Sequence, residues 1–281
     1  MIQDIGSSRF DITFENYRPE KIDYVLRFDQ DGKIWVACSG DRLVFPKGYE
    51  EEDVDRIVYL FSVDEVRYFL LLNHDEIRYK EGSTGFLYKG LRELRRTCCN
   101  VDNLIVFTAY HLWRWYMDHH FCGRCGGKLK FKDTERALVC ECCENTIYPR
   151  INPAVIVGVI NGDSILITRY QRGYAHNALV AGFVEIGETL EQTVCREVME
   201  ETGIKIKNIR YYKSQPWGMA QDVLMGFFCD ADDYKIRMDE NELRYAGWVR
   251  REDIELQPDD LSLTNEMMRV FKEGKIGPDR G

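Results

Sequence analysis

The most regular hydrophobic pattern lies in the second half of the chain. A continuous apolar run, AVIVGVI at Ala154–Ile160, is followed by the turn residues Asn161-Gly162-Asp163 and a second run, SILITR at Ser164–Arg169. The first run predicts a buried strand, and the turn makes the pair a hairpin. Further strand-like runs lie at Ile209–Ser214, Val223–Cys229 and Tyr245–Val249. Helical spacing takes over at Thr189–Thr202 and again at Leu263–Lys272. Together they predict an α+β domain with a mixed sheet and flanking helices.

The first half is rich in Tyr, Phe and Leu, with short strand-like runs at Lys33–Cys38 and Arg56–Ser62. Helical stretches are expected over roughly Gly85–Arg96 and over Leu104–His119. The second is amphipathic, with Phe107, Leu112 and Trp115 among its bulky members. This segment holds no chemical motif, so a structural role or a dimer surface is expected. Glycines and cysteines then cluster until YPRINP, where Pro149 and Pro153 mark a boundary. The expected division is an N-terminal α+β domain over 1–118, a cysteine module over 119–150 and a second α+β domain over 151–281.

Composition narrows the classes. A length of 281 residues fits two domains, or one domain with a smaller companion. Hydrophobic residues at 44% can build sizeable cores, and charged residues at 30% fit a folded chain. The net charge of −9 argues against a general nucleic-acid or membrane-surface binder, while leaving room for a local basic patch. No run approaches the roughly 18 apolar residues of a membrane span. The first residues are acidic early and lack the apolar centre of a signal peptide. A cytoplasmic location is therefore expected, and the cysteines are expected as thiols and metal ligands rather than disulfides.

Cys122-x2-Cys125 and Cys140-x2-Cys143 are two CxxC pairs. Four soft thiolates suit a tetrahedral zinc ion, and two such pairs predict a zinc ribbon. Cys142 competes with Cys143 for the last place, with the poorer spacing. The segment Cys122–Pro149 carries five Lys/Arg and four Asp/Glu. That near neutrality favours structural zinc over nucleic-acid contact. Cys38, Cys98, Cys99, Cys195 and Cys229 are expected as ordinary small residues.

The chemistry is written in GFVEIGETLEQTVCREVMEETGI, Gly182–Ile204. Thr189 and Gln192 form a capping box at a helix start, and Gly203 is a helix stop. At about 100° per residue, Glu197, Glu200 and Glu201 share roughly a third of the helix circumference. Three carboxylates on one face repel each other, with only Arg196 adjacent. A solvated acidic face is the plain reading of such a cluster taken alone, and a divalent-metal site is the other.

The wider spacing decides between them. Gly182, Glu188, Arg196, Glu197, Val198, Glu200, Glu201, Gly203 and Ile204 match the Nudix box at every defined position. With the cysteine module upstream and Ser214-Gln215-Pro216-Trp217 downstream, residues 104–272 resemble the NADH pyrophosphatase family. The resemblance implies a Nudix fold preceded by a zinc ribbon. It also implies cleavage of NAD(H) to nicotinamide mononucleotide and AMP, with removal of NAD caps from RNA by some members, and a homodimer. Magnesium or manganese ions are implied as catalytic cofactors, with one structural zinc per chain.

By the same resemblance Glu197 and Glu201 are the main metal ligands, Glu200 is a ligand or base, and Arg196 orients. The main-chain carbonyl of Ala181 and Glu242 complete the metal set, and Glu188 is structural. Tyr148, Phe183, Gln215, Pro216 and Trp217 are implied as substrate contacts, together with Glu135, Thr264 and Arg92. The family pattern breaks at Gly218-Met219-Ala220-Gln221-Asp222, where Pro-Phe-Pro-x-Ser is usual. Two prolines and an aromatic face are lost, and Asp222 brings a negative charge toward the expected phosphates, a ribose hydroxyl or a metal. Two other readings stay open: a diphosphatase for a different nucleoside diphosphate derivative such as ADP-ribose, and a non-catalytic nucleotide- or nucleic-acid-binding regulator.

Overall fold

The computed structural model describes residues 1–72, 85–172 and 176–277. Its contacts divide the chain into two compact units. One holds Gln3–Arg150 with Gly218–Gln221, and the other holds Met1–Ile2, Ile151–Trp217 and Asp222–Gly281.

In the first unit the elements are β1 (Phe10–Asp11), β2 (Tyr24–Leu26), β3 (Ile34–Ser39), β4 (Arg42–Val44), β5 (Ile57–Val63), β6 (Val66–Leu71), β7 (Leu87–Lys89), α1 (Leu91–Leu94) and α2 (Asn100–Asp118), followed by β8 (Leu129–Phe131), β9 (Leu138–Cys140) and β10 (Thr146–Ile147). They form sheets ordered β1-β5-β6-β2, β4-β3-β7 and β10-β9-β8. Helix α2 buries Phe107, Leu112 and Trp115, as its apolar spacing requires. Near its start, buried Asp102 accepts from the Leu43 N–H and pairs with Arg42 through two bonds. The helix expected over 85–96 is mostly something else. Leu87–Lys89 pairs with Ile34–Val36 as a strand, and extended Gly90 leaves only Leu91–Leu94 helical. Cross-strand pairing overrode local helical spacing there.

In the second unit the elements are β11 (Asn152–Asn161), β12 (Ser164–Tyr170), β13 (Val180–Phe183), α3 (Leu190–Thr202), β14 (Ile206–Trp217), β15 (Asp222–Ala231), β16 (Leu243–Arg250) and α4 (Leu263–Lys272). The mixed sheet runs β14-β15-β11-β12-β16, with β13 also paired to β11. Strand β11 runs parallel to β15 along most of its length. Its other edge is shared. β13 pairs antiparallel with Ala154–Val157, and β12 pairs only at Ile160↔Ile165 and Asn161↔Ser164. The expected hairpin is therefore closed only at its turn.

Alternate residues of β11 enter two cores. Val155, Val157 and Val159 pack with Val194 and Val198 of α3, whereas Ile156 and Ile160 pack with Leu263, Met267 and Phe271 of α4. A strand covered on both faces needs an unbroken apolar run, which is what Ala154–Ile160 supplies. Met1 and Ile2 join this unit, and the Ile2 N–H donates to the Leu261 carbonyl at 2.9 Å. Among the described residues no helix is long and apolar enough to cross a membrane.

Helix α4 is seated by a buried amide. Gln215 on β14 is fully buried; its Nε2 donates to the Leu261 carbonyl and its Oε1 accepts from the Leu263 N–H, both at 2.7 Å. The second bond satisfies a donor that the start of a helix leaves without an intrahelical partner. Gln215→Ala removes the partner of the Leu263 N–H, takes one of two bonds from the Leu261 carbonyl and opens a cavity. A loss of about 2–4 kcal/mol is expected in urea unfolding.

Candidate functional site

The carboxylate helix α3 begins as its sequence demands. The Thr189 side chain accepts from the Gln192 N–H and Gln192 returns a bond to the Thr189 N–H; the helix ends at Gly203, whose φ is 68°. The cap sets the phase of the helix, so that Glu197 and Glu201 face β13 while Glu200 faces solvent. The Glu197 side chain is 13% exposed, and the Glu200 side chain is 61% exposed.

Arg196 organises this face with all five donors. Its Nε and Nη2 grip both oxygens of Glu188 at 2.7 and 2.8 Å. Its Nη1 reaches Glu197 at 2.7 Å and Glu200 at 3.0 Å, and Nη2 also donates to the Phe183 carbonyl at 2.9 Å. Glu188 receives further bonds from the Thr193 hydroxyl and the Glu185 N–H. The Arg196 guanidinium, first among these donors, pulls its pKa down to about 2. Glu188 is thereby committed to the loop before α3.

Glu197 lies against the main chain of β13. A Cβ on Gly182 would come within 1.9 Å of the Glu197 carboxyl carbon, so only glycine lets the side chain rest there. Burial raises the pKa of Glu197, with Glu200 and Glu242 adding to the shift against the pull of Arg196. Glu201 is 2% exposed, and burial pushes its carboxyl up to about 8, again with Glu197 and Glu242 contributing. The structure thus brings Glu197, Glu201 and Glu242 into one electrostatic neighbourhood beside Ala181. Among the described residues no Lys or Arg forms an ion pair with Glu201. Crowded carboxylates with one buried member and too little positive charge fit a hard divalent cation.

One neighbour of this cluster was not legible in the sequence. Tyr170, at the end of β12, donates to Glu201 at 3.1 Å. It is 31 residues away along the chain and belongs to no motif, so only the pairing of β12 in the sheet reveals it.

The cysteine module closes on itself. The sulfurs of Cys122, Cys125, Cys140 and Cys143 all lie within 4.8 Å of one another, and Cys142 is not among them. The separations are 3.3 Å for Cys125–Cys143, 3.5 Å for Cys125–Cys140 and 3.7 Å for Cys122–Cys143. A zinc tetrahedron with bonds of about 2.3 Å has edges of about 3.8 Å, close to these values. The Arg124 and Cys142 N–H groups point at Cys122 and Cys140 Sγ, each at 3.4 Å. The first of these bonds leads in lowering the Cys122 thiol to about 6, toward the thiolate that binds metal.

The expected substrate contacts are divided. Phe183, Pro216, Trp217, Asp222 and Thr264 belong to the second unit; Tyr148, Glu135 and Arg92 belong to the first. Phe183 is 53% exposed and Tyr148 56% exposed, so both rings present open faces. The Tyr148 hydroxyl donates to Glu135, which also pairs with Lys132. Gln215 also belongs to the second unit, where its amide bonds the backbone at Leu261 and Leu263 and so braces α4.

The altered segment after Trp217 is a tight turn. A Cβ on Gly218 would sit 2.0 Å from the Phe107 carbonyl, and Gln221 takes a left-handed φ of 61° while accepting from Arg150. Asp222 lies beyond the turn, in β15 opposite Trp217. It is 6% exposed, and burial raises its carboxyl to about 7, opposed by a bond with Asn152. Its charge is therefore largely suppressed below neutrality.

Gly182→Ala drives a methyl group into Glu197 and displaces that carboxylate; a fall in catalytic rate of roughly 100-fold is expected with the fold retained by circular dichroism. Asp222 holds its proton up to about pH 7 when folded but only to about 3.8 when unfolded. The folded state binds the extra proton, so this residue's contribution to stability is full below pH 3.8 and is lost as pH rises through about 7. Asp222→Asn should remove that slope. Urea unfolding at pH 5 and pH 8 should then show the variant gaining on the parent protein at the higher pH.

Comparison with known proteins agrees with this layout. Residues 150–270 match the family described as NUDIX domain, and residues 118–148 match the NADH pyrophosphatase zinc ribbon domain. A protein of Citrobacter koseri named NAD-capped RNA hydrolase NudC is 46% identical over 150 residues, covering 52% of this chain and 58% of that protein. Its namesake from Escherichia coli strain SMS-3-5 is 45% identical over 150 residues, with the same coverage. The match thus spans little more than half the length of these relatives. A NUDIX hydrolase structure from Nitrosomonas europaea superposes with a TM-score of 0.50 over 56% of this chain and 94% of its own, at 21% identity, which bears on the fold alone. Residues 118–270 thus carry a zinc ribbon of the NADH pyrophosphatase type running directly into a Nudix domain with the full carboxylate box, and in this arrangement the chain resembles the NADH pyrophosphatase family of Nudix hydrolases.

Proposed function

We propose that the protein hydrolyses the pyrophosphate bond of NAD(H) to nicotinamide mononucleotide and AMP, and that it removes NAD caps from RNA. The observation that carries this reading is the buried Glu201 carboxylate, set beside Glu197 and Glu242 with no Lys or Arg ion pair among the described residues. Such a group demands either a proton or a cation, and oxygen ligands of this kind suit Mg²⁺ or Mn²⁺. The relatives named as NAD-capped RNA hydrolases support a dinucleotide substrate.

In this reading Glu197, Glu201, Glu242 and the Ala181 carbonyl hold the metal ions. Glu200, the most exposed of the three helix carboxylates, is a further ligand or accepts the proton of the attacking water. Arg196 fixes Glu197 and Glu200 through its Nη1. When bound, divalent metal neutralises phosphate charge and makes a water molecule more acidic. The open face of Phe183 suits stacking on a flat base, with Tyr148, Trp217 and Pro216 as further contacts. Glu135, Thr264, Arg92 and Asp222 are further substrate contacts in this reading. The acting form is proposed as a cytoplasmic homodimer with one structural zinc per chain.

The turn Gly218–Gln221 and the carboxyl of Asp222 favour a second reading, in which another nucleoside diphosphate derivative such as ADP-ribose is preferred. The family's two prolines and the aromatic ring that follow Trp217 are replaced here by Gly218, Ala220 and Met219. A non-catalytic binder would have no use for the complete carboxylate set.

Incubation with NADH, NAD, ADP-ribose and NAD-capped RNA, with Mg²⁺ or Mn²⁺, separates these readings. NADH and NAD-capped RNA are expected to be cleaved, with a loss of at least about 100-fold in Glu201→Gln. Faster cleavage of ADP-ribose than of NADH selects the second reading. Hydrolysis of none of them by the parent protein overturns both.

A further inference from the structure

Glu201 sits in a pocket that offers its carboxylate few ways to hold one orientation. It is 2% exposed and beside two other acids, so repulsion from Glu197 and Glu242 works against a fixed position for its carboxylate. Two donors oppose that push. The Ala181 N–H bonds the carboxylate from β13, and the Tyr170 hydroxyl lies 3.1 Å from Oε1 and 3.4 Å from Oε2. A phenol has one proton to donate, so it holds one carboxylate oxygen and leaves the lone pairs of the other available.

The backbone places Tyr170 there by a local irregularity. Strands β12 and β16 pair residue for residue from Ser164↔Arg250 to Arg169↔Tyr245, and then the register shifts so that Tyr170 faces Leu243. Arg244 is the extra residue. Such a bulge re-aims the side chains around it. Glu242 precedes Leu243, and its carbonyl accepts from the Gln171 N–H at 2.8 Å. One break in pairing therefore brings the Tyr170 hydroxyl and the Glu242 carboxylate to the same rim of α3.

We infer that Tyr170 is a positioning residue for metal binding: its hydroxyl holds the Glu201 carboxylate in the orientation that ligates a divalent cation, and the β12–β16 bulge holds it in register with Glu242. The inference rests on the metal-dependent reading above. It concerns the acid that the box supplies, through a residue that lies outside the box.

The test measures Mn²⁺ affinity of the full chain by the electron paramagnetic resonance signal of free Mn²⁺, with no substrate present. Tyr170→Phe removes the hydroxyl and keeps the ring. Weakening of Mn²⁺ binding by about tenfold or more is expected, with the metal-free melting temperature close to that of the parent. Adding Tyr170→Phe to Glu201→Gln should weaken Mn²⁺ no further, because the tyrosine acts through that carboxylate. Affinity within twofold of the parent overturns the inference, as does an undiminished effect in the Glu201→Gln background. If Tyr170→Phe unfolds the chain, Tyr170→His, which restores a donor on an aromatic ring, must retain Mn²⁺ binding better than Tyr170→Leu, and equal losses in the two overturn it. Failure of the substrate reading is seen separately, as absence of NADH cleavage by a parent protein that still binds Mn²⁺.

Discussion

The site depends on one guanidinium. Three acids and a main-chain carbonyl converge on one face of α3 and the loop before it, and the mutual repulsion of the acids would scatter them without a common partner. Arg196 commits every donor it has to holding them, with two on Glu188, one each on Glu197 and Glu200, and one on the Phe183 carbonyl. The planar fork makes the bidentate grip on Glu188 possible, which an ammonium group cannot reproduce. That grip ties the loop ahead of the helix, the end of β13 and the helix itself into one piece.

What Arg196 leaves unsatisfied is as informative as what it holds. Its reach ends at Glu197 and Glu200, and Glu201 lies deeper, bonded by the Tyr170 hydroxyl. The helix therefore has a braced half and an uncompensated half. The braced half holds its acids in place, while the uncompensated half is what a divalent cation would complete. Gly182 is the other condition for this geometry, since any side chain there would occupy the space of the Glu197 carboxyl group.

The ribbon obeys a different physics. Its sulfurs converge through short CxxC turns whose N–H groups point at the sulfur atoms, so the ligand set is local and almost independent of the rest of the fold. The six-stranded sheet of the second unit is the opposite case. Its carboxylates come from α3 and from the start of β16, and they meet only because β11 is covered on both faces and holds β13, β15 and β12 in place.

Residue spacing by itself determined the local features: the capping box at Thr189, the stop at Gly203, the helix from Leu263 to Lys272, the buried strand at Ala154–Ile160, the cysteine set and the acidic face of α3. Each depends on interactions within a turn or two of chain, or on a motif whose positions are close together, so the information is present in the order of residues. Tertiary structure decided the rest. It turned Leu87–Lys89 from expected helix into strand through pairing with β3, and it limited the hairpin of β11 and β12 to its turn because β13 competes for the same edge. It gave Gln215 a brace on α4, buried Asp222 so that its carboxyl resists ionisation, and brought Tyr170 to Glu201. These outcomes rest on strand register and on desolvation. Both are set by residues far apart in the chain, and neither leaves a periodic trace in the sequence.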